Sequence, residues 1–253
     1  MTGAESITVI EYGFIALAAL ATSTIGGVTG YGSGLLMPLI LAPIIGPEVV
    51  VPVLGVAALF NNGSRVVAFW RVLDMRRALI VGLSAAPTCA LSAYFYTFLS
   101  GPMVSLVLGL VLVALVPARR AFARIEKRLS DPMLVLSGVG YGALVGGTSG
   151  TGVLLIAILL AAGLQARAVI ATDAATTLLI GIVKTLVFQS AGALPPSAWV
   201  VALVIGVAVV PGAFIARRLS EGLDAKSHAA ILDGVVVFGG LMLAAQGVRA
   251  LAF

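Results

Sequence analysis

Three ionisable residues lie where a chain of this composition has least room for charge. Lys184 sits in TLLIGIVKTLVF, Arg65 in ALFNNGSRVVAFW and Asp173 in VIATDAATTLLIG, each among apolar neighbours. Charges inside apolar helices are expensive and by default mark a functional site. Asp173 and Lys184 are eleven residues apart, which puts them on one helix face roughly 16 Å apart along the axis. That distance excludes a direct ion pair within the helix and leaves Thr176 and Thr177 on the stripe between them. Two cations in such surroundings suggest an anion site, to which Asn61 and Asn62, one turn before Arg65, can add amide donors. Asp173 is then the candidate for coupling to a proton or a sodium ion, with Thr176 and Thr177 beside it. Each residue also has a plainer reading. Arg65, six residues before Arg71, and Lys184 could both extend their heads to the membrane surface. Asp173 could pair with Arg167 or take a hydroxyl from its own helix.

Two glycine-rich stretches carry the second kind of chemistry. GGVTGYGSGLL at 26–36 and GGTSGTGVLLI at 146–156 match at a constant offset of 120, pairing Gly26 with Gly146, Gly27 with Gly147, Gly30 with Gly150 and Gly32 with Gly152. Where glycines break a helix, the backbone N–H groups that start the next half-helix attract negative charge. Thr29, Gly30 and Tyr31 in the first turn, and Thr148, Ser149, Gly150 and Thr151 in the second, are therefore candidate anion ligands. Closely spaced glycines also let helices pack tightly; that explains the enrichment but not the same spacing twice. A nucleotide-binding loop is excluded, since no strand precedes GYGSG. The single histidine, His228, lies in a polar connection, and the single cysteine, Cys89, in an apolar run. Neither a metal set nor a nucleophile–base pair is visible, so no enzyme activity and no cofactor are expected.

The elements that must hold these residues follow from composition. Hydrophobic residues are 60% of the chain and charged residues 10%, with a mean hydropathy of +1.17; soluble domains average about 45–50% and about 25%. Long apolar runs with charges confined to short connections describe an all-α, polytopic membrane protein. The net charge of +5 belongs to flanks of membrane helices rather than to a nucleic-acid surface. Residues 1–7 hold no basic residue, so the first apolar run reads as part of the mature protein rather than a signal peptide. Apolar segments fall near 8–28, 31–45, 49–69, 79–98 and 102–117, then 133–148, 150–163, 168–190, 198–216 and 229–248. Basic residues gather at Arg71, Arg76 and Arg77, at 119–128, and at Arg217, Arg218 and Lys226. Placing all three clusters in the cytoplasm satisfies the positive-inside rule and leaves both termini outside. Asp233 is expected in the first turn of the last helix.

One transmembrane domain, 1–253, is expected, made of a first repeat at 8–117, a basic cytoplasmic connection at 118–131 and a second repeat at 132–248. Each repeat is a glycine-broken pair, at 8–45 or 133–163, followed by three long helices. The pair is either two short spans or a re-entrant hairpin, and either gives an even number of crossings. Each half then crosses an odd number of times, so the two halves must be inverted. Gly82 and Pro87 meet Gly206 and Pro211 at an offset of 124, in keeping with one shared plan. Inverted repeats around broken helices are typical of secondary transporters, with substrate held near the midplane.

The turn GGVTGYGSGLLMP ending at Pro38, the second turn at 146–152 with VIATDAATTLL after it, and the basic connection WRVLDMRRAL at 70–79 resemble the sulfite exporter TauE/SafE family, also called the toluene sulfonate uptake permease family. The resemblance spans about residues 8–248. It implies a transporter of the bacterial cytoplasmic membrane that moves sulfite, sulfonates or other sulfur-containing organic anions. The family's usual run of consecutive glycines is interrupted here by Thr, Tyr and Ser. The expected function is alternating-access transport of a small anion, with a homodimer open and no nucleic-acid partner. The alternatives are an anion channel without coupling and a permease for a neutral solute.

Overall fold

Apolar runs of this length leave the backbone no polar partner but itself, so they wind into helices. The computed structural model describes residues 7–29, 33–122, 129–219 and 225–252, and among them the chain forms ten α-helices and one 3-10 turn, with no strand. The first half contains α1 (Val9–Thr29), α2 (Ser33–Ile45), α3 (Pro47–Phe69), the 3-10 turn Trp70–Val72, α4 (Met75–Tyr96) and α5 (Gly101–Phe122). The second contains α6 (Asp131–Val145), α7 (Gly152–Ala161), α8 (Ala166–Ser190), α9 (Pro196–Leu219) and α10 (Ala225–Ala252). Four of these hold stretches long and apolar enough to cross a bilayer: Pro47–Val67, Met75–Tyr96, Gly101–Ala118 and Ala168–Ser190. The surface is inverted relative to a water-soluble protein. Leu17, Phe98, Leu186, Val207 and Phe238 are 64–69% exposed, while Thr172, Asp173, Thr176 and Lys184 are buried. This is a multi-pass membrane protein.

The second arm of each glycine-broken pair is short. The 13 residues of α2 and the 10 of α7 reach about 20 and 15 Å, against a hydrocarbon thickness of about 30 Å. Both are short of a full-length span. The N–H of Leu129 donates to the Ala161 carbonyl at 2.8 Å, so the α6–α7 pair begins and ends at one end of the bundle. The chain turns back inside it.

Packing partners exchange when the halves are exchanged. Helix α4 packs on α6 and α9 on α1; α4 packs on α8 and α9 on α3; α5 meets α7 and α10 meets α2. Helices α3 and α8, and α5 and α10, each meet their own counterpart. The same exchange holds for single residues, with Gly82 against Leu179 and Gly206 against Phe60. The counterparts run antiparallel. Along α3 and α8, Gly55 lies beside Lys184, Leu59 beside Gly181 and Arg65 beside Asp173.

Small residues and hydroxyls set these close approaches, since apolar burial gives no preference for helix over lipid. Gly138, Gly142 and Gly146 line the face of α6 that meets α4, where a Cβ on Gly142 would stand 2.2 Å from the Ala85 carbonyl oxygen. Thr88 donates across this contact to the Val139 carbonyl at 2.8 Å, and Ser23 does the same from α1 to the Val209 carbonyl of α9 at 2.8 Å.

The two ends of the bundle differ. At one end Asp74 caps α4, accepting from the Arg77 N–H at 2.9 Å, while its own N–H donates to Thr172 Oγ1 at 3.1 Å. Partial burial works against the charge of Asp74, but hydrogen bonds from Arg77 prevail and hold its carboxyl below the ordinary carboxylate range. Arg76 pairs there with Asp131 at the start of α6. At the other end Tyr96 donates to the carbonyls of Pro47 and Glu48 at 3.0 and 3.1 Å, joining the end of α4 to the start of α3. Asp233 departs from expectation: α10 already begins at Ala225, so the residue lies inside that helix and is buried.

Candidate functional site

Where α2 and α7 begin, neither helix fills the bundle, and a cavity of about 230 Å³ remains among α2, α3, α7, α8 and α9. One water needs about 10–15 Å³ on such a scale, so a small hydrated ion has room. Asn61, Asn62, Arg65, Thr148, Ser149, Gly150, Thr151, Asp173, Thr177 and Lys184 all line it. Gly30, Tyr31 and the side chain of Thr29 fall outside the described residues. Thr176 is turned away: its hydroxyl donates to the Thr172 carbonyl at 2.8 Å and lies 3.5 Å from the Ala78 carbonyl of α4.

The two half-helices meet through backbone. Ser149 donates to the Gly34 carbonyl at 2.9 Å. Gly150 has φ of +83°, and a Cβ there would stand 2.4 Å from Leu35 Cδ2 and 3.0 Å from the Gly34 carbonyl oxygen. Only glycine tolerates both the left-handed backbone and the contact. A Cβ on Gly34 would in turn lie 3.1 Å from Gly150 Cα.

Lys184 is 5% exposed, and its Nζ donates to the carbonyls of Val145 and Thr148 at 2.7 Å each. Extension to the membrane surface is therefore not its role. Val145 is the last residue of α6 and Thr148 lies in the turn after it, so the ammonium sits at the negative end of the helix. An ammonium has three N–H donors; two are used on backbone, and one remains for the cavity. Phe188 lies on the other side, its ring 5.8 Å from Nζ.

Arg65 also turns inward. Its Nη1 lies 3.1 Å from Asp173 Oδ2 and 3.2 Å from Asn62 Oδ1, and Nη2 donates to the Ile170 carbonyl at 3.4 Å. Asp173 thus takes its charge partner from α3, across the boundary between the halves, rather than a hydroxyl from its own helix. Asp173 is 4% exposed, and its second oxygen, Oδ1, has no hydrogen-bond partner among the described residues; neither has Thr177 Oγ1. The charged groups lining the cavity are two cations and one carboxylate, which leaves one positive charge in excess.

Tyr141, not among the candidate residues named from the sequence, is buried on α6 beside Asp173, Thr151 and Thr177. Its signal was available: it is the one aromatic residue in the stretch GVGYGALVGG. The apolar wall from Ile205 and Val209 had no signal, because α9 reads as uniform membrane helix.

Comparison with known families matches residues 15–243 to the one described as sulfite exporter TauE/SafE. No curated protein and no solved structure matches the chain.

Proposed function

The chain belongs to the sulfite exporter TauE/SafE family, and from that premise we propose that it carries a small oxyanion, sulfite or an organosulfonate, by alternating access. The observation that carries this reading is the joint presence of Arg65, Lys184 and the start of two half-helices around one cavity. The free N–H of Lys184, the guanidinium of Arg65 and the hydroxyl of Thr151 would hold the oxyanion, while the Ser149 hydroxyl is already donated to the Gly34 carbonyl. The remaining apolar wall suits the organic part of a sulfonate.

The antiparallel counterparts α3 and α8, with packing partners that exchange between halves, support two inverted repeats. Rocking of one half against the other is the motion such a plan favours. With the basic residues 71–77 in the cytoplasm of a bacterial inner membrane, α8 runs outward and both termini lie outside. The neutral-solute alternative needs both cations to leave for the surface. The inward turn of Arg65 and the burial of Lys184 count against it.

The test is purified protein in liposomes, with uptake of sulfite, methanesulfonate, sulfate and chloride measured chemically and membrane current recorded alongside. Uptake selective for the sulfur oxyanions, lowered at least tenfold in Lys184→Ala and in Arg65→Ala, is expected. Uptake of none of the four anions, or full uptake in both variants, overturns the reading.

A further inference from the structure

We propose that the Arg65–Asp173 ion pair is the coupling device of this transporter: the anion replaces Asp173 as the partner of Arg65, and Asp173 takes up one proton in exchange. This rests on the anion-transport reading above.

Arg65 and Asp173 come from α3 and α8, equivalent helices of the two halves, and their contact crosses the boundary at which the halves would move. An anion entering the cavity meets a guanidinium whose Nη1 is already held by a carboxylate. The two negative groups compete for one cation, and like charges at that distance exclude each other. Asp173 has little else to hold its charge. It is 4% exposed, its Oδ1 is without a partner among the described residues, and the nearest hydroxyl on its own stripe, Thr177, is without one too. A buried carboxylate that loses its cation is neutralised rather than left bare.

The exchange balances. A hydronium ion on the side to which the cavity opens gives a proton to Asp173, forming one O–H bond. The Nη1–H of Arg65 turns from Asp173 to an oxygen of the anion. When the cavity opens to the other side and the anion leaves, Arg65 returns to Asp173 and the proton goes to water. An empty cavity with the pair closed has an excess of one positive charge, and a loaded one gains both an anion and a proton. A monovalent sulfonate therefore crosses with no net charge.

The ionisable groups around Asp173 are few. Arg65 faces it from α3 and Tyr141 from α6. Asp74 and Arg77 bind each other at the start of α4, where the backbone of Asp74 holds Thr172, the residue before Asp173. Cys89 of α4 lies toward Lys184, on the same helix as Asp173 but three turns away. Helix α7 has no ionisable residue. Asp173 is thus the carboxylate that lines the cavity.

The experiment uses the full chain in liposomes loaded with a pH-sensitive dye, with methanesulfonate as the probe and potassium–valinomycin setting the voltage. Sulfite is run in parallel, with entry into protein-free vesicles subtracted. In the wild type, methanesulfonate entry is expected to acidify the interior by one proton per anion and to be indifferent to voltage. Its apparent affinity should tighten on acidification by up to about tenfold per pH unit, the linkage for one proton per anion. In Asp173→Asn, entry should lose acidification and pH dependence and become voltage-driven. The wild-type measurement alone decides if that variant does not fold. Anion entry that is voltage-driven and without acidification in the wild type overturns the coupling device and leaves anion transport standing. Absence of entry for both anions overturns the transport reading itself.

Discussion

Gly150 occupies a point that no side chain can share. Its φ of +83° and the 2.4 Å that would separate a Cβ from Leu35 Cδ2 act together, and it holds the turn that Lys184 pins through Thr148. Gly150→Ala is expected to lower stability by about 1–3 kcal/mol from strain and overpacking, read by thermal unfolding in detergent. It should also reduce anion uptake, because the α2 and α7 starts are pushed apart. Unaltered stability and uptake would mean that the turn is not held as tightly as the contact implies. Lys184 serves two roles at this point, ligand and clamp. Its substitution therefore reports on both, and that of Arg65 likewise removes a cavity cation together with the α3–α8 ion pair.

Helices α4 and α6 meet through glycine on one side and hydroxyls on the other. At Gly142 a side chain would enter the Ala85 carbonyl, while one at Gly140, two residues away, would meet nothing within 4 Å. Gly142→Val should therefore destabilise the protein by about 1–3 kcal/mol, and Gly140→Val should be neutral within about 0.5 kcal/mol. Thermal unfolding of the two variants side by side separates packing from a general intolerance of β-branched residues in helices. Equal effects would remove the glycine stripe as the source of the α4–α6 contact. The lengths of α2 and α7 belong to the same scale. Helix α7 is a half-helix because the turn from Gly146 to Thr151 ends α6 inside the bundle, and the start of such a helix is where an anion finds unpaired N–H groups.

For the whole molecule, exchange of packing partners between halves and the antiparallel run of α3 and α8 predict which connections share a side. Cysteines introduced at Ser100 and Ala191, both exposed, should react from outside intact cells with a membrane-impermeant maleimide. One at Ser130, at the end that holds the Arg76–Asp131 pair, should react only after permeabilisation. The native Cys89 is buried and leaves the background low. Labelling of Ser130→Cys from outside would reverse the orientation read from the basic clusters.

The membrane class, the ten apolar segments and the glycine break between α6 and α7 were legible from composition and periodicity, because lipid forces every spanning backbone to satisfy itself and leaves that demand in the sequence. Lys184, Arg65 and Asp173 were legible as well, since charge in an apolar run is conspicuous wherever it points. Their partners were not. A buried cation finds whichever oxygen the fold brings near, and no spacing along the chain pairs Arg65 with Asp173, or Lys184 with the carbonyls at the end of α6. Thr176 and Thr177 are adjacent and alike in sequence, yet one faces α4 and the other the cavity, because successive helical residues differ in direction by about 100°. Sequence periodicity determined which residues could do chemistry in a membrane. Only the packing of two halves against each other decided which of them share a cavity, since contacts between distant segments are set by tertiary approach and not by order along the chain.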